Sequence, residues 1–568
     1  MKKVFGLVIV ALLLLVSAGF AQRGSNGDLN IIYWQAASTL NPYLSGGTKD
    51  IEAASPILEP LARYDEAGNL VPWLVDEIPT LENGGVAEDL KSITWKLKDG
   101  VMWSDGTPLT AADVVFTGEY CLNEEMGCNS LSYFTDVESF EAVDDQTVKI
   151  NFSVAKPFPY GPFAGAETPV IQKAQFENCT GANAQNCTAE NFGPIGTGPY
   201  KVTDFRANDV VVYEANENYR EADKPAFSRV TLKGGGDAAS AARAVLETGE
   251  ADYAWNLQVE PEILTQMAAG GQGEIVSSFG TSVERLVINL TNHDGSLGED
   301  RSEYMDGENP HPFLSDPVVR QALSMAIDRS ILTEIGYGAA GQPGCNILPA
   351  PEIYASTAND GCLQQDMEGA KKLLDDAGIV DTDGDGVREK DGVPLNVLYQ
   401  TSTNSVRQGT QALVKQWWDE LGVSTELRNV DAAVFFGNDV SSPDTYGKFY
   451  ADVEMFTNNF SGTDPENYMA NLTCKEIAQR SNQWLGNNQP RWCNPEYDAL
   501  VAQLGETAGL EARAEIAKQL NDMISQSYVL IPLIWRGDVS AHAGSLQGVR
   551  MNSWDSELWN IADWTRAN

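Results

Sequence analysis

The segment from residue 393 to residue 427 constrains the fold of this chain more than any other stretch of the sequence. Apolar residues alternate over 393–399, repeat every three or four positions over 406–421, and alternate again over 423–427. The outer patterns predict strands, and the middle pattern predicts a helix that ends at Gly422. Two strands joined by a helix of this length form a crossover unit. This half of the chain is therefore predicted to be α/β.

Further strands and helices are predicted along the chain, with no internal repeat and no long low-complexity linker. Asp316 caps a helix that starts at Pro317 and carries an apolar face as far as Ile327. A second helix extends from about Asp366 to Ala377. Strand patterns occur at 30–34, 200–213 and 284–290, and a late helix covers 512–523.

Size and charge exclude some functions. The chain has 568 residues, which is enough for two or three domains, and a formal net charge of −42. Such a charge repels nucleic acid and anionic membrane surfaces, so neither is expected as a partner. The acidic residues are spread along the sequence, which indicates a solvated surface and not a disordered tail.

The first residues have the pattern of an export signal. Lys2 and Lys3 precede an apolar run over 4–16, which is too short to span a bilayer comfortably. Small residues follow, so we expect a signal peptide of residues 1–21 that is cut after Ala21; the alternative is a retained membrane anchor. Because the first cysteine is Cys121, no lipobox cysteine follows the apolar run. A soluble periplasmic or extracellular protein is expected.

The eight cysteines fall into four couples that are close in sequence. An even number behind a signal peptide favours disulfides, although eight cysteines allow roughly a hundred connectivities. Each couple lies in a polar or glycine-rich loop, which favours local pairing: Cys121 with Cys128, Cys179 with Cys187, Cys345 with Cys362, and Cys474 with Cys493. Zinc is disfavoured, because no Cys-x-x-Cys occurs and the chain has three histidines. Buried free thiols are the remaining alternative.

Residues 381–392 repeat the front half of a calcium-binding loop. Carboxylates occupy positions 1, 3 and 5, and a glycine at position 6 allows the sharp turn. Gly392 replaces the bidentate glutamate of position 12, and Glu389 and Asp391 are the candidates to compensate for it. The predicted ligands of a structural Ca²⁺ are Asp381, Asp383, Asp385, the carbonyl of Val387, and Glu389. The alternative is a charged turn without metal. No other cofactor is expected.

Patterns of enzyme active sites are missing from the sequence. It contains no Gly-x-Ser-x-Gly and no His-Glu-x-x-His, and its glycine runs at 234–236 and 270–271 lack the lysine of a phosphate-binding loop. A secreted glycoside hydrolase would use two carboxylates around a sugar, but no such pair stands out. We expect a protein that is not an enzyme.

Several motifs, in order, resemble one protein family. The stretch W-K-L-K-D-G-V-M-W-S-D-G-T-P-L-T-A-A-D-V-V-F at 95–116 indicates a strand, two turns and a helix capped by Thr110. It resembles the signature of the family 5 extracellular solute-binding proteins, the oligopeptide, dipeptide and nickel receptors of ABC importers. Further matches are G-T-G-P-Y-K at 196–201, V-R-Q-A-L-S-M-A-I-D-R at 319–329 and A-K-K-L-L-D-D-A-G at 370–378.

The resemblance implies an α/β, two-lobed periplasmic-binding-protein fold of the large three-domain type, with mixed sheets and a cleft between the lobes. Lobe I would comprise 28–62, 197–282 and 528–568, with an extra domain of 63–196 inserted into it. Lobe II would be 283–527, and crossovers near 282–290 and 527–533 would form the hinge. The resemblance implies a monomer that binds a small solute and delivers it to an ABC permease.

The resemblance also suggests a ligand site. In the peptide receptors of this family a G-W-x-x-D-Y stretch supplies an aromatic residue and an aspartate for the peptide ammonium. The corresponding residues here are 455–460, where Phe456 keeps the aromatic position and Asn459 replaces the aspartate. Asp464 is expected to take over the ammonium of a peptide. Otherwise the site suits a neutral polar ligand such as an oligosaccharide, with Phe456, Phe460 and Trp34 as stacking faces. The predicted ligand-binding residues are Trp34, Phe456, Asn458, Asn459, Phe460 and Asp464.

Overall fold

A computed structural model of the protein describes residues 23–437 and 439–567. The predicted signal peptide, residues 1–21, lies outside the described residues. Within those ranges, none of the helices combines the length and the apolar character that crossing a membrane would require.

The described residues contain twenty strands, which are numbered in chain order. They are β1 (Asp28–Tyr33), β2 (Ala62–Tyr64), β3 (Leu70–Pro72), β4 (Ser92–Lys96), β5 (Val137–Asp144), β6 (Thr147–Phe152), β7 (Tyr200–Arg206), β8 (Val210–Ala215), β9 (Arg229–Gly234), β10 (Tyr253–Ala254), β11 (Gly273–Ile288), β12 (Gly341–Pro343), β13 (Glu389–Lys390), β14 (Val393–Pro394), β15 (Asn396–Ser402), β16 (Ser424–Val430), β17 (Val453–Asn458), β18 (Leu530–Ala543), β19 (Leu546–Gln547) and β20 (Thr565–Arg566).

The α-helices of the same residues cover these strands. They are α1 (Thr48–Ala54), α2 (Ala111–Leu122), α3 (Lys173–Phe176), α4 (Thr188–Phe192), α5 (Ala238–Leu246), α6 (Pro261–Ala268), α7 (Pro317–Met325), α8 (Arg329–Gly336), α9 (Met367–Asp376), α10 (Ser405–Leu421), α11 (Ala432–Phe435), α12 (Glu466–Ala470), α13 (Pro495–Glu506) and α14 (Leu510–Ser527).

Two long strands hold the central mixed sheet together. The sheet order is β16-β15-β17-β11-β18-β10-β1-β9-β8-β7, and β11 and β18 pair in antiparallel fashion along most of their lengths. One end of this pair continues into β10, β1, β9, β8 and β7, which we call lobe I. The other end continues into β17, β15 and β16, which we call lobe II. The crossovers predicted near 282–290 and 527–533 fall in β11 and at the start of β18.

The predicted crossover unit is confirmed, with one adjustment. β15 and β16 are parallel and are joined by α10, which ends at Gly422 in the left-handed conformation. The first strand starts at Asn396, because Val393 pairs in a separate hairpin of β13 and β14. The helix predicted to extend to Ile327 ends at Met325, because the carboxylate of Asp328 accepts hydrogen bonds from two N–H groups and caps a new helix, α8.

The signature stretch at 95–116 forms the predicted strand, turns and helix. Trp95 lies in β4 of a small sheet ordered β4-β6-β5. The Asp113 carboxylate accepts a hydrogen bond at 3.0 Å from the backbone N–H of Thr110, which caps α2. The apolar core of this region is continuous with that of lobe I. The proposed boundaries of the three domains stay a prediction.

All eight cysteines pair as the sequence predicts. The disulfides join Cys121 to Cys128, Cys179 to Cys187, Cys345 to Cys362, and Cys474 to Cys493. Each closes a loop in which the two cysteines are between 7 and 19 positions apart.

A buried carboxyl group lies inside the sheet of lobe II. Glu454 of β17 is opposite Gln400 of β15, and the Gln400 amide donates a hydrogen bond to Oε1 of Glu454. Oε2 of Glu454 and Oε1 of Gln400 are both buried without a hydrogen-bond partner. Burial holds the pKa of Glu454 well above its ordinary value. A proton on Oε2 would let the carboxyl donate to the Gln400 oxygen and satisfy both atoms. We infer that Glu454 is protonated at neutral pH.

Replacing Glu454 with glutamine should therefore stabilise the protein at neutral pH, because an amide keeps the pairing without taking up a proton. A carboxyl with a raised native pKa loses its stabilising contribution as the pH rises above the ordinary value of 4.5. Glu454→Gln should increase the free energy of unfolding at pH 7, by about 1.4 kcal/mol for each pH unit above the ordinary pKa over which the native carboxyl keeps its proton.

Denaturant unfolding at several pH values measures this difference, which should vanish near the ordinary pKa. Glu426→Gln is the matched control, because Glu426 is exposed on β16 of the same sheet. A Glu454→Gln protein that is less stable than the parent at pH 7 would contradict a protonated Glu454.

Candidate functional site

A cavity lies between the two lobes. It encloses about 1380 Å³, including solvent at its mouth. Lobe I contributes stretches around 46–52 and 552–557, and lobe II contributes 456–459 and residues near 487. The crossover strands β11 and β18 supply Ser282, Arg536 and Asp538. A ligand here would contact both lobes and the strands that join them.

Three of the predicted ligand-binding residues line this cavity: Phe456, Asn458 and Asn459. Phe456 and Asn458 belong to the end of β17, and Asn459 follows it directly. The ring is held by aromatic neighbours, with the centroid of Tyr446 at 5.4 Å. The Arg285 guanidinium lies 5.9 Å from the Phe456 centroid on another side. Phe456 therefore presents a fixed apolar face, and the two asparagines add amide groups.

The other three predicted residues are outside the cavity lining. Trp34 packs in an apolar cluster with α5, and its indole N–H donates to the carbonyl of Asn256 at 2.8 Å. Phe460 stacks on Tyr468 with a centroid distance of 4.8 Å. These rings have partners within the protein. Stacking of a sugar on Trp34 or Phe460 has no support in this geometry.

Asp464 has a partner that the sequence did not reveal. Both of its carboxylate oxygens accept hydrogen bonds from the guanidinium of Arg513, at 2.9 and 2.6 Å, and the pair is almost fully buried. An ammonium group could reach Asp464 only by displacing this cation, which would leave a buried charge unpaired. The expectation that Asp464 holds a peptide ammonium therefore has no geometric support.

Carboxylates that sequence reasoning missed line the cavity instead. They are Glu52, Glu167, Asp538, Asp555 and Glu557. They come from four separate segments of the chain, so no single spacing pattern could have grouped all five. The only local signal is the polar run at 552–557 near the end of the sequence.

The environments of these carboxylates differ. Asp555 forms a buried ion pair with Arg63 at 2.7 Å. Oε2 of Glu167 is buried without a hydrogen-bond partner, and burial raises the pKa of this carboxyl to about 7. Asp538 accepts a hydrogen bond from Ser282 at 2.8 Å, and burial raises its pKa.

Glu52 and Glu557 form a coupled pair of carboxyl groups in the cavity wall. The backbone N–H of Glu557 donates to Oε1 of Glu52 at 3.0 Å, and Ser556 donates to Oε2 at 2.7 Å. Burial, together with neighbouring acidic groups, raises the pKa of Glu52 to about 7 and that of Glu557 to about 8. The pair therefore holds protons around neutral pH.

The acidic loop at 381–392 is a separate candidate for a metal. Asp381, Asp383, Asp385 and Glu389 bring one carboxylate oxygen each within 4.8 Å of one another. The N–H groups of Gly384 and Gly386 donate to Asp381 at 2.7 and 2.9 Å, and these bonds keep its pKa low. The donor set of exposed oxygens suits a hard cation such as Ca²⁺. Glu389 joins the cluster in the absence of a glutamate at position 12.

A buried ion-pair network links Lys156 to lobe II. Lys156 forms ion pairs with Asp136 at 3.1 Å and with Glu466 of α12 in lobe II. Glu466 also lies 3.3 Å from Arg513. Nearby, the Asn487 amide donates to the carbonyl of Asn129 at 2.8 Å. These contacts join the segment that carries the signature stretch to lobe II.

Comparison with known proteins identifies the family and the fold of this chain. The sequence model of one family, described as bacterial extracellular solute-binding proteins, family 5 Middle, matches residues 69–479. The glutathione-binding protein GsiB of Escherichia coli is 24% identical over 543 residues, which are 95% of this chain and 94% of that protein.

Solved structures resemble the whole chain. The oligopeptide-binding protein AppA of Bacillus subtilis, in complex with a nonapeptide, has a TM-score of 0.81 at 22% identity and covers 96% of this chain and 100% of its own. NikZ of Campylobacter jejuni, in complex with Ni(L-His), has a TM-score of 0.77 at 23% identity, with 95% and 100% covered. The predicted two-lobed α/β fold is confirmed.

The ion pair between Lys156 and Glu466 should favour the closed arrangement of the lobes. Lys156→Met removes the cation and leaves carboxylates buried, which costs about 3 kcal/mol unless the cleft opens and water reaches them. The ligand-free variant should therefore have a larger radius of gyration in small-angle scattering than the parent protein. Lys96→Met, at an exposed position of β4, is the control. Equal radii for Lys156→Met and the parent would show that this network does not hold the lobes together.

Proposed function

Because the chain belongs to the bacterial extracellular solute-binding proteins of family 5, we propose that it is the receptor of an ABC importer and that its ligand is a peptide. The observation that carries this proposal is the cavity between the lobes, whose wall combines residues of both lobes with residues of the crossover strands. Closure of the lobes would exclude water from a ligand, and opening would release it to a membrane permease. Like its relatives, the protein is a binding protein and not an enzyme.

The cavity wall supports a peptide better than a sugar. Amide groups of Asn458, Asn459 and Asn487 can pair with the donors and acceptors of a peptide backbone. The carboxylates of the wall can replace the hydration of an ammonium group, which a neutral amide does less well.

The family places such receptors outside the cytoplasmic membrane, in the periplasm or on the cell exterior. The predicted signal peptide at 1–21 is part of this proposal, with export as a soluble monomer and delivery to an ABC permease.

The proposal predicts saturable binding of short peptides that depends on a free amino terminus. Calorimetry with a tripeptide and its N-acetylated form should show a weaker affinity for the acetylated peptide, by roughly tenfold or more, because a charged hydrogen bond is lost. Binding of a cello- or xylo-oligosaccharide with no binding from a peptide pool would overturn the peptide assignment. A thermal shift with the peptide pool is the first screen.

We also propose that the loop at 381–392 binds a structural Ca²⁺. Its distance in sequence from the cavity-lining segments, and its position between α9 and the hairpin of β13 and β14, support a role in stability and not in ligand binding. A site without the bidentate glutamate suits weak binding of the kind found in extracellular modules, with a Kd on the order of 10⁻⁴ M.

Calcium added to chelator-treated protein should raise the melting temperature, and calorimetry should give one site in the described loop. At 100 times the Kd, the gain in unfolding free energy is about 2.7 kcal/mol. Asp383→Asn should weaken Ca²⁺ binding by at least roughly tenfold, because it removes a charged ligand. Asp223→Asn, an exposed position elsewhere, is the control. A parent protein that shows no heat and no thermal shift at millimolar calcium would leave the loop as a charged turn.

A further inference from the structure

The charges that line the interlobe cavity do not balance. Its described lining residues include five carboxylates and three cationic side chains, Lys49, Arg407 and Arg536. Two of those cations are already neutralised from outside the cavity. Lys49 contacts Asp50 at 2.9 Å, and Arg407 contacts Glu284 at 2.8 Å.

One of the carboxylates is neutralised in the same way, since Asp555 pairs with Arg63. Four acidic groups then remain, which are Glu52, Glu167, Asp538 and Glu557, and they face one guanidinium, that of Arg536. The closest contact of Arg536 with this set is 3.6 Å, to Asp538. A closed cleft excludes water, so the surplus of negative charge must be met by protons or by a ligand.

We propose that the cavity selects peptides with a cationic side chain, such as lysine or arginine, and disfavours acidic peptides. This inference rests on the proposed function and specifies its substrate class. A peptide that brings both an amino terminus and a cationic side chain would supply two positive charges to these four acidic groups.

Two atoms inside the cavity point independently to a ligand. Oε2 of Glu167 is buried and accepts no hydrogen bond, although it belongs to a group that lines the cavity. Nε of Arg536 is buried and donates no hydrogen bond, and this side chain is 7% exposed. Native proteins rarely leave such atoms unpaired, so a ligand with both a donor and an acceptor would satisfy them. A peptide ammonium and a peptide carbonyl or carboxylate have these properties.

The protonated pair Glu52 and Glu557 supports the same inference. Groups that face the pair are Tyr33 of β1, Tyr253 of β10, Asp538 of β18 and Asp555. A cation that enters this environment favours the ionised carboxylates, so it should displace protons. Binding of a cationic peptide should therefore release protons from the pair. The affinity for this peptide should rise as the pH increases from about 7 to about 8, because the pair loses its protons in this range.

The test uses three matched tripeptides with the full-length mature protein: Ala-Lys-Ala, Ala-Gln-Ala and Ala-Glu-Ala. Calorimetry should show Ala-Lys-Ala binding roughly ten- to a hundredfold more tightly than Ala-Gln-Ala, as expected for an added charged hydrogen bond, and Ala-Glu-Ala binding most weakly. Equal affinities would overturn the charge preference and leave the receptor proposal intact. No binding from these peptides or from a pool of two- to nine-residue peptides would overturn both.

Variants assign the preference to the cavity wall. Glu167→Gln and Asp538→Asn should each lower the affinity for Ala-Lys-Ala by roughly tenfold while changing that for Ala-Gln-Ala little. Both substitutions keep shape, and asparagine at 538 can still accept the Ser282 hydrogen bond. Glu141→Gln, at an exposed position of β5, is the control. An equal loss of affinity for Ala-Lys-Ala and Ala-Gln-Ala would indicate that Glu167 and Asp538 have a structural role, and it would contradict the proposal.

Proton release gives a readout that a structural defect would not mimic. The binding enthalpy of Ala-Lys-Ala should differ between phosphate and Tris buffers, because the released protons are taken up by buffers with different ionisation heats. Identical enthalpies at pH 7 would contradict the displacement of protons from Glu52 and Glu557.

Discussion

The antiparallel pairing of β11 with β18 is the constraint on which the rest of the structure depends. These two strands share hydrogen bonds from the Gly273–Ala543 pair to the Val287–Leu530 pair, and both lobes attach their sheets to the ends of this ribbon. The register shifts between Phe279 and Val283, so the ladder is irregular where one lobe gives way to the other. A bulge of this kind bends a strand and interrupts its pairing, which suits a place where two bodies change their angle. Ser282, Arg536 and Asp538 on this ribbon also line the cavity, so the joint and the binding site share residues.

Local structure could be predicted from the sequence wherever neighbouring residues determine it. The caps at Thr110 and Asp316, the stop at Gly422 and the crossover of β15, α10 and β16 follow from side chains that are a few positions apart. The predicted end of α7 at Ile327 is wrong, because apolar spacing could not reveal that Asp328 caps a new helix. The periodicity of apolar residues indicates which face of a helix is buried. The position of a helix end depends instead on one side chain that forms a hydrogen bond with the backbone.

The binding site could be predicted only in part, because its charges are brought together by the tertiary fold. Phe456, Asn458 and Asn459 occupy one strand end and were accessible through a family motif. The ion pair of Asp464 could not be predicted because its partner, Arg513, lies 49 positions away. The acidic wall joins Glu52 to Glu557, which are 505 positions apart. Glutathione and nickel–histidine are the ligands in the names of two relatives, and they differ strongly in charge. Family membership therefore leaves the charge of the ligand open, and the cavity wall must determine it.

The distribution of the disulfides has a mechanical consequence. Two bridges staple loops next to lobe I, between 121 and 187, and two staple loops of lobe II, between 345 and 493. Among these bridges none ties one lobe to the other, so covalent cross-linking stiffens each body while leaving their relative rotation free. Disulfide formation can therefore stiffen each lobe without restricting the rotation between them, and each bridge can form as soon as the two cysteines of its own short loop meet an oxidant.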